Sequence, residues 1–304
     1  MVRGTSNLAP VETPELAVIR HADERPDFLA IGHVTRDLLP DGSWRLGGTV
    51  TYAALTAARL GLRAAIVTSA PPDVLAALDT MLPDIPLSVA PSAEATTFEN
   101  IYSAHGRQQY LRGRAAPLII ASVPEAWCDA PIVLLGPVAQ EIDVSIVTAF
   151  PHALVGATPQ GWLRQWDADG AVAPAPLTSA DTLLPHLRAL ILSREDVGES
   201  ADAVFGQWAR TVPHIAVTCS RDGAYVWEHG VKSGLFAGYP AHEVDPTGAG
   251  DVFATAFLCE LRETGDAARA IDFANQVAAC SVEAAGGEGI PTREIVAARW
   301  NTSG

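Results

Sequence analysis

Short apolar runs alternate with helical patterns along the chain, and this alternation restricts the fold more than any other feature. Six runs have the length and composition of buried strands: residues 28–32, 64–68, 132–135, 154–157, 190–192 and 215–218. Four stretches carry apolar residues at helical spacing: residues 52–60, 74–82, 203–210 and 267–283. Such alternation predicts an α/β fold, in which helices cover both faces of a mainly parallel sheet as a three-layer α/β/α sandwich.

Two stretches interrupt this pattern. Residues 37–46 predict a short hairpin that turns at residues 40–43, and residues 96–112 predict a second hairpin that turns near residues 105–106. We therefore expect two inserted segments, at about 36–47 and 95–114, inside a main domain that covers residues 27–300. Residues 1–26 contain three prolines and mixed charges, which predicts a loosely ordered tail.

Composition limits the possible partners. The net charge is −15 and the pI is about 4.8, so no basic field is available for nucleic acid or an anionic membrane. With 48% hydrophobic residues, the chain of 304 residues can bury a large core, yet none of its segments is suited to span a bilayer. The four cysteines lack Cys-x-x-Cys spacing, which favours reduced thiols and a cytoplasmic location.

The segment 245–251, Asp-Pro-Thr-Gly-Ala-Gly-Asp, carries the strongest functional signal. Residues 239–244 before it have a strand-like pattern, and an apolar helical pattern follows it. Gly248 and Gly250 allow the backbone to approach an anion, with Ala249 between them, so the amides of this glycine loop (residues 245–250) can hold a phosphate. Asp251 lies in the first helical turn, where the helix dipole keeps a carboxylate ionised as a proton acceptor. The alternative is a capped turn that enters a core helix.

Other chemistries lack their motifs. The chain has no Gly-x-x-x-x-Gly-Lys-[Ser/Thr], no His-Glu-x-x-His and no Gly-x-Ser-x-Gly segment. Residues 32–36, after the first predicted strand, contain a single glycine, which argues against a dinucleotide-binding fingerprint.

The segment from Asp245 to Phe253 resembles the C-terminal signature of the PfkB (ribokinase-like) family of sugar and nucleoside kinases. The resemblance implies a ribokinase-like fold, in which the two inserted segments form a small β-sheet lid over the sugar and can pair between subunits in a homodimer. It also implies ATP and a small hydroxylated substrate as ligands, with Asp251 as the general base and Gly248, Ala249 and Gly250 as the phosphoryl cradle.

The N-terminal half resembles the same family. Asp37 follows Gly32 by five residues, and in the family an aspartate there accepts hydrogen bonds from sugar hydroxyls. Gly47 and Gly48 resemble the paired glycines that lead into a helix of small residues. Tyr52 adds a flat apolar surface, so the resemblance implies a substrate site formed by Asp37, Gly47, Gly48 and Tyr52.

The nucleotide side of the resemblance departs from the family pattern. Residues 218–223 resemble the Thr-x-Gly-x-x-Gly turn near the ATP phosphates, with Ser220 in place of the first glycine, and residues 273–275 resemble the helix whose asparagine lies near the adenine. A simple strand-to-strand turn and a core helix remain open as alternatives. The implied nucleotide-binding residues are Thr218, Ser220, Gly223, Asn275 and Thr247.

The resemblance also implies metal binding, although the sequence differs from the family's metal-binding motif. Ser193-Arg194-Glu195-Asp196 replaces the family's Asn-x-x-Glu, so Ser193, Glu195 and Asp196 are the implied, indirect Mg²⁺ residues. Asp245 lies where some relatives bind a monovalent cation, which suggests K⁺.

These observations predict an ATP-dependent kinase. The residues after Gly48 lack the Lys and Asn donors of ribokinase, so we expect a cyclic polyol such as myo-inositol, or a nucleoside, to be preferred over ribose or fructose 6-phosphate. Two alternatives remain. The protein could instead bind a sugar or nucleotide without catalysis, or its substrate could be a phosphorylated sugar whose phosphate is held by Arg112 and Arg114.

Overall fold

The computed structural model describes residues 18–19, 24–103, 106–198 and 201–300. The strands in chain order are β1 (Val18–Ile19), β2 (Phe28–Ile31), β3 (Thr35–Leu38), β4 (Trp44–Gly47), β5 (Ala64–Ala70), β6 (Leu87–Pro91), β7 (Thr96–Ser103), β8 (Gly106–Gly113), β9 (Ile132–Leu135), β10 (Leu154–Ala157), β11 (Arg164–Trp166), β12 (Val172–Pro174), β13 (Ala189–Ser193), β14 (His214–Thr218), β15 (Gly223–Glu228), β16 (Val231–Lys232) and β17 (Phe236–Ala237). The helices are α1 (Thr49–Arg59), α2 (Pro72–Met81), α3 (Ala180–Leu183), α4 (Ala201–Trp208), α5 (Ala249–Thr264), α6 (Ala267–Ser281) and α7 (Arg293–Trp300).

Within the described residues, eleven strands form one central sheet in the order β1-β6-β5-β2-β9-β10-β13-β14-β15-β16, with β17 also paired to β15. All pairs from β6 to β14 are parallel, and the antiparallel pairs lie at the two edges. The mainly parallel sheet predicted from the sequence is therefore confirmed, and each of the six predicted strands is present.

Alternate residues of each central strand pack on opposite faces of the sheet. Phe28 and Ala30 of β2 belong to one buried cluster, while Leu29 and Ile31 belong to the other. Helices α1, α2, α5, α6 and α7 contribute to the first cluster, and α3, α4 and the 3₁₀ turn around Trp127 contribute to the second. The sheet is the middle layer of a three-layer sandwich, as predicted.

A separate four-stranded sheet, the small sheet, joins the two predicted hairpins. Its order is β4-β3-β7-β8; β3 is antiparallel to β4 and parallel to β7. The pairing of β3 with β7 unites segments that are about 60 residues apart in the chain, which hairpin patterns alone do not indicate. Of the turn predicted near residues 105–106, residue 105 lies outside the described residues, and β8 begins at Gly106.

The strand-like pattern of residues 239–244 was wrong as a prediction, because this segment forms no strand. Proline at position 240 has no N–H to give a sheet, and the Tyr239 hydroxyl donates to Asp272 of α6 at 2.9 Å. The N–H of Val244 donates to the Val282 carbonyl just after α6, at 2.7 Å. Hydrogen bonds to α6 and to the residue just after it therefore hold this segment in place.

The predictions for the N-terminal segment, the cysteines and membrane spans can be compared with the described residues. Of the predicted tail at residues 1–26, the described residues include β1, whose two residues pair antiparallel with β6. The four cysteines form no disulfide, and no described helix has the length and apolar character needed to cross a membrane.

Candidate active site

The glycine loop and Asp251 lie at the carboxyl ends of the parallel strands. Strands β13 and β14 end at Ser193 and Thr218, and both of these residues line a cavity with Asp251. Crevices at this edge of an α/β sheet are the usual place for ligands, since loops and helix N-termini converge there.

The local geometry of the glycine loop requires glycine at position 248. Gly248 precedes α5 with a φ of +79°, and a Cβ at this position would lie 2.5 Å from the Tyr52 ring. The Ala249 N–H donates to the Pro246 carbonyl at 3.2 Å, so this amide already has a partner within the turn. Gly250 lines the cavities, and a Cβ there would meet nothing within 4 Å. The N-terminus of α5 therefore faces both cavities, where its free amides can bind an anion.

Asp251 has the properties of a proton acceptor at neutral pH. Burial raises the pKa of its carboxyl to about 6, against a hydrogen bond from Thr49 and the charge of Arg164, which lower it, while Asp196 and Asp37 raise it further. A carboxyl with this pKa is mostly ionised at pH 7 and still basic enough to take a proton.

A larger cavity of about 420 Å³ lies between the small sheet and the glycine loop. Asp37, Asn100 and Gln109 reach it from the small sheet, and Asp251 lies on the opposite side of the lining. The remaining lining residues are Thr35, Arg45, Gly48, Thr49, Tyr52, Phe98, Val138, Gln160, Arg164, Pro246, Thr247, Gly248 and Gly250. This lining is rich in hydrogen-bonding groups, as a polyol requires.

The paired glycines make room for Asp37. Its Oδ1 accepts a hydrogen bond from the Thr35 hydroxyl at 3.0 Å, and a Cβ on Gly47 would lie 2.5 Å from its Oδ2. Gly48 has a φ of +92°, and a Cβ there would lie 2.4 Å from the His33 carbonyl oxygen. Gly47 itself is not among the lining residues, so its contribution is the close approach of β4 to Asp37.

The Tyr52 ring packs against the glycine loop at Gly248. Its ring is buried against Gly248, and burial raises the pKa of its hydroxyl to about 12, with Arg45 opposing and the carboxylates of Asp251, Asp245 and Asp37 adding to the increase. The phenol is therefore neutral at pH 7 and offers both an apolar ring and a hydroxyl.

Sequence reasoning missed three residues of this site. Thr49, the first residue of α1, donates to Asp251. Arg45 on β4 donates to the Thr247 hydroxyl at 3.0 Å and lies 3.7 Å from the Asp245 carboxylate. Arg164, on β11, lies over the Phe98 ring with 5.7 Å to the ring centroid. The position of Thr49 directly after Gly48 was a usable signal, whereas neither arginine belongs to a recognisable motif.

A smaller cavity of about 110 Å³ adjoins the first one. Thr49, Gln160, Gly250 and Asp251 line both cavities, and the smaller one also has Thr158, Ile191, Leu192, Ser193, Asp196 and Thr218. Asp251 therefore lies where two cavities meet, one beneath the small sheet and one beside the ends of β13 and β14.

The predicted metal residues divide into two groups. Ser193 and Asp196 line the smaller cavity and hold each other in place, since the Ser193 N–H donates to Asp196 Oδ2 at 2.9 Å. Glu195 is exposed, does not line that cavity, and donates its N–H to the Ser193 hydroxyl at 3.2 Å. The carboxylate and hydroxyl oxygens of Asp196 and Ser193 fit Mg²⁺, which favours hard oxygen ligands and retains several waters.

The predicted nucleotide residues are spread over two places. Thr218 lines the smaller cavity, but Asn275 donates its amide to the carbonyls of Phe236 and Ala237 at 3.2 and 3.4 Å. Ser220 has a φ of +53°, so it takes a left-handed conformation where the family has glycine. Gly223 has a φ of +107°, and a Cβ there would lie 2.0 Å from the Phe236 carbonyl oxygen.

Asp245 and Thr247 stabilise the start of the glycine loop. Asp245 accepts the N–H of Thr247 at 3.0 Å and that of Gly286 at 3.2 Å, so both carboxylate oxygens have backbone donors. Thr247 lines the larger cavity and accepts from Arg45, although it was predicted as a nucleotide contact.

Comparison with known proteins agrees with this geometry. The family model described as "pfkB family carbohydrate kinase" matches residues 180–293, which contain the glycine loop, Asp251 and helices α5 and α6. Over these residues the chain is similar to the PfkB family. A cytidine kinase from Thermococcus kodakarensis is 27% identical over 255 residues, which cover 76% of this chain and 87% of the relative. These similarities support a phosphotransferase with a hydroxyl acceptor.

Solved structures identify the fold. A pyrophosphate-dependent kinase of the ribokinase family, complexed with a pyrophosphate analog and myo-inositol, matches with a TM-score of 0.74 at 18% identity and covers 88% of this chain and 98% of its own. A putative ribokinase from E. coli, in complex with ATP and Mg²⁺, matches with a TM-score of 0.67 at 19% identity over 90% and 98% of the two chains. At these identities the likeness establishes the ribokinase-like fold of this protein and nothing beyond the fold.

Proposed function

We propose that this protein is an ATP-dependent kinase of the PfkB type, which phosphorylates a hydroxyl of an uncharged cyclic polyol such as myo-inositol, or of a nucleoside. The observation that carries the proposal is the position of Asp251, which lines both cavities and has a carboxyl pKa of about 6. An acceptor hydroxyl in the larger cavity and a phosphoryl group beside the smaller one would meet at this carboxylate.

In the proposed reaction, Asp251 accepts the proton of the acceptor hydroxyl as that oxygen attacks the γ-phosphoryl group of ATP, the bond to the β–γ bridging oxygen breaks, and ADP leaves. Thr49 orients the carboxylate through its hydroxyl, and Arg164 keeps part of the carboxyl population ionised. The amides at the start of α5, from Gly248 to Gly250, stabilise negative charge on the transferred group, with Gly250 the best placed because Ala249 already donates to Pro246.

The charges around the larger cavity favour an uncharged acceptor. Asp37 and Asp251 are balanced by Arg45 and Arg164 within the same lining. Arg112, one of two arginines considered for a phosphorylated sugar, already pairs with Glu99 at 2.7 Å. Arg114, the other, donates to the Gln140 carbonyl at 2.6 Å. A hydroxylated ring can instead receive hydrogen bonds from Asn100 and Gln109 and donate to Asp37.

On the donor side, Asp196 and Ser193 would hold Mg²⁺ through their oxygens and its waters, and Thr218 would contact the nucleotide phosphates. Bound Mg²⁺ neutralises phosphate charge during transfer. A K⁺ site near Asp245, a homodimer through the small sheet and a cytoplasmic location remain parts of the proposal, drawn from the family resemblance and the cysteine pattern.

A donor and acceptor screen tests the proposal. Purified protein is incubated with Mg²⁺ and either ATP or pyrophosphate, against myo-inositol, cytidine, ribose and fructose 6-phosphate, and phosphorylated product is measured by mass spectrometry. We expect the highest kcat/KM with ATP and myo-inositol or cytidine. The highest kcat/KM on ribose or fructose 6-phosphate would contradict the acceptor assignment, and a preference for pyrophosphate would contradict the donor assignment.

An Asp251→Asn preparation serves as the control for contaminating kinases. If the wild-type protein binds ATP and an acceptor in calorimetry but forms no more product than this variant, the alternative of a non-catalytic sugar- or nucleotide-binding protein is correct.

A further inference from the structure

A third cavity, of about 480 Å³, lies at the opposite end of the parallel strands from Asp251. Its lining includes Leu154, Arg188 and His214, which stand at or next to the amino ends of β10, β13 and β14. Strand β14 runs for five residues from His214 to Thr218, so about 15 Å of strand separates this cavity from the catalytic one. The kinase chemistry proposed above uses none of these side chains.

Two histidines and a glutamate come together at this cavity. His214 at the start of β14 is paired in register with Glu228 at the end of β15, and His229 follows in the turn to β16. Ligand atoms of the three side chains all lie within 4.8 Å of one another. The two imidazole rings are 5.7 Å apart between centroids.

The hairpin turn between β15 and β16 sets the position of His229. His229 and Gly230 are the two residues of this turn, with φ of +47° and +83°, as a two-residue hairpin requires. The His229 N–H donates to the Pro213 carbonyl at 2.8 Å. The turn therefore brings the second imidazole back toward the first.

One nitrogen of the cluster has no partner. His214 Nδ1 is buried and makes no hydrogen bond, and the nearest carboxylate oxygen, Glu228 Oε1, lies 3.9 Å away. That separation exceeds a hydrogen bond, so the lone pair or proton of this nitrogen is unsatisfied. Buried polar atoms without partners are rare in folded proteins, and a binding site for an ion is one established reason for them.

We propose that His214, His229 and Glu228 bind one divalent transition-metal ion, with Zn²⁺ as the preferred ion. Two imidazoles and one carboxylate are a common protein ligand set for Zn²⁺, with the remaining position left to water. Imidazole nitrogen discriminates against Mg²⁺, so this site is distinct from the one at Asp196.

The required movements are small. Ligand atoms of a tetrahedral Zn²⁺ site lie about 3.3 Å apart, so the present spacing must contract by roughly 1.5 Å at most. Glu228 and His229 are exposed and can change rotamer, whereas His214, whose side chain is only 15% exposed, stays as the fixed ligand. The open cavity beside them, with Arg188 and Arg262 in its lining, provides space for water or an anion as the fourth ligand.

The test is a Zn²⁺ titration of the full chain without a histidine tag, after treatment with a chelator. Isothermal titration calorimetry should give one equivalent of Zn²⁺ with a Kd below about 10 µM. Co²⁺ should bind with the intense visible absorption of a tetrahedral site. His229→Asn, which keeps a residue that tolerates the left-handed backbone, and Glu228→Gln should each weaken Zn²⁺ binding at least about tenfold.

The matched control is His242→Asn, which removes an exposed histidine outside the cluster and should leave Zn²⁺ affinity unchanged. Kinase turnover with Mg²⁺ should be the same in His229→Asn, Glu228→Gln and wild type, which also shows that the variants fold. The proposal is overturned if wild-type protein shows no saturable binding up to 100 times that Kd limit. It is equally overturned if His229→Asn and Glu228→Gln both bind Zn²⁺ as tightly as wild type.

Discussion

The two cavities that meet at Asp251 are built in different ways. The smaller, donor-side cavity takes Ser193 and Thr218 from the ends of neighbouring parallel strands. The larger, acceptor-side cavity takes Asp37, Asn100 and Arg164 from the small sheet and from the β11–β12 pair, which are separate from the central sheet. The donor side therefore depends mainly on fixed backbone, and the acceptor side on side chains carried by an inserted sheet.

On the proposed donor side, the residues that depart from the family pattern keep the local backbone conformation. Ser193 and Asp196 keep their turn by bonding each other, and Ser220 keeps the glycine-like conformation. Substitutions on the acceptor side change the hydrogen bonds that a substrate receives, so we expect substrate choice to depend on that side. The following predictions test the division from the largest expected effect to the smallest.

Asp251→Asn removes the group common to both cavities. We expect turnover to fall by on the order of 10²-fold to 10⁴-fold, with ATP affinity nearly unchanged. Stopped assays of product, together with ATP titration calorimetry, provide the measurement. Near-normal turnover would remove Asp251 as the general base.

The same variant has a stability signature. Because the folded-state pKa of Asp251 is about 6, above the usual 3.8, its ionised form destabilises the fold above pH 6 and has no such effect below pH 3.8. Asp251→Asn should therefore raise the free energy of unfolding at pH 7.5 by up to about 3 kcal/mol, and by much less at acidic pH. A variant that is inactive and also less stable at pH 7.5 would indicate misfolding.

Asp37→Ala tests the acceptor side alone. Loss of charged hydrogen bonds to the acceptor should cost about 1.5–3 kcal/mol, or roughly 10-fold to 150-fold in acceptor kcat/KM, while the KM for ATP stays within about twofold. The control is Asp41→Ala, an exposed acid in the β3–β4 turn of the same sheet. A larger change in the KM for ATP than in that for acceptor would reverse the assignment of the two cavities.

Asp196→Asn tests the donor side. We expect the Mg²⁺ concentration for half-maximal activity to rise about tenfold, because an amide is a poorer partner than a carboxylate for the hydrated ion. The acceptor KM should not change. Glu195→Gln is the matched control, since Glu195 is exposed and does not line the cavity. Equal effects of the two variants would argue against Asp196 as the metal-binding carboxylate.

The pH profile of kcat/KM tests the state of Asp251 in the free enzyme. With a pKa of about 6, the carboxyl is mostly ionised at pH 7 and mostly protonated at pH 5, so kcat/KM should fall about tenfold between these values. A profile that stays flat from pH 7 to pH 5 would contradict a base with this pKa.

Ser220→Gly should have the smallest effect. A left-handed conformation costs serine more than glycine, so the change should stabilise the fold by about 0.5–1 kcal/mol after the extra chain entropy of glycine is subtracted. Urea denaturation measures the change. Ser179→Gly is the comparison, because Ser179 has a φ of −94° and makes no capping bond, and there we expect a loss of stability.

Much of the donor side and the catalytic loop could be predicted from the sequence, because their residues are consecutive. The segment 245–251 and the strand ends at Ser193 and Thr218 each combine local conformation with local chemistry. Helix α7 was not predicted, and the strand-like pattern at residues 239–244 was wrong. This segment is held by hydrogen bonds to α6 and to Val282 just after it, and not by pairing in a sheet.

The sequence alone determined the α/β architecture, the glycine loop with Asp251, and the two inserted hairpins, because periodicity and special backbone conformations are local properties. Only the tertiary structure decided that Arg45 reaches Thr247 across 202 positions of sequence, that Arg164 enters the acceptor cavity, and that burial sets the pKa of Asp251. Contacts between distant segments and the desolvation they cause depend on how the layers pack, which no local pattern encodes.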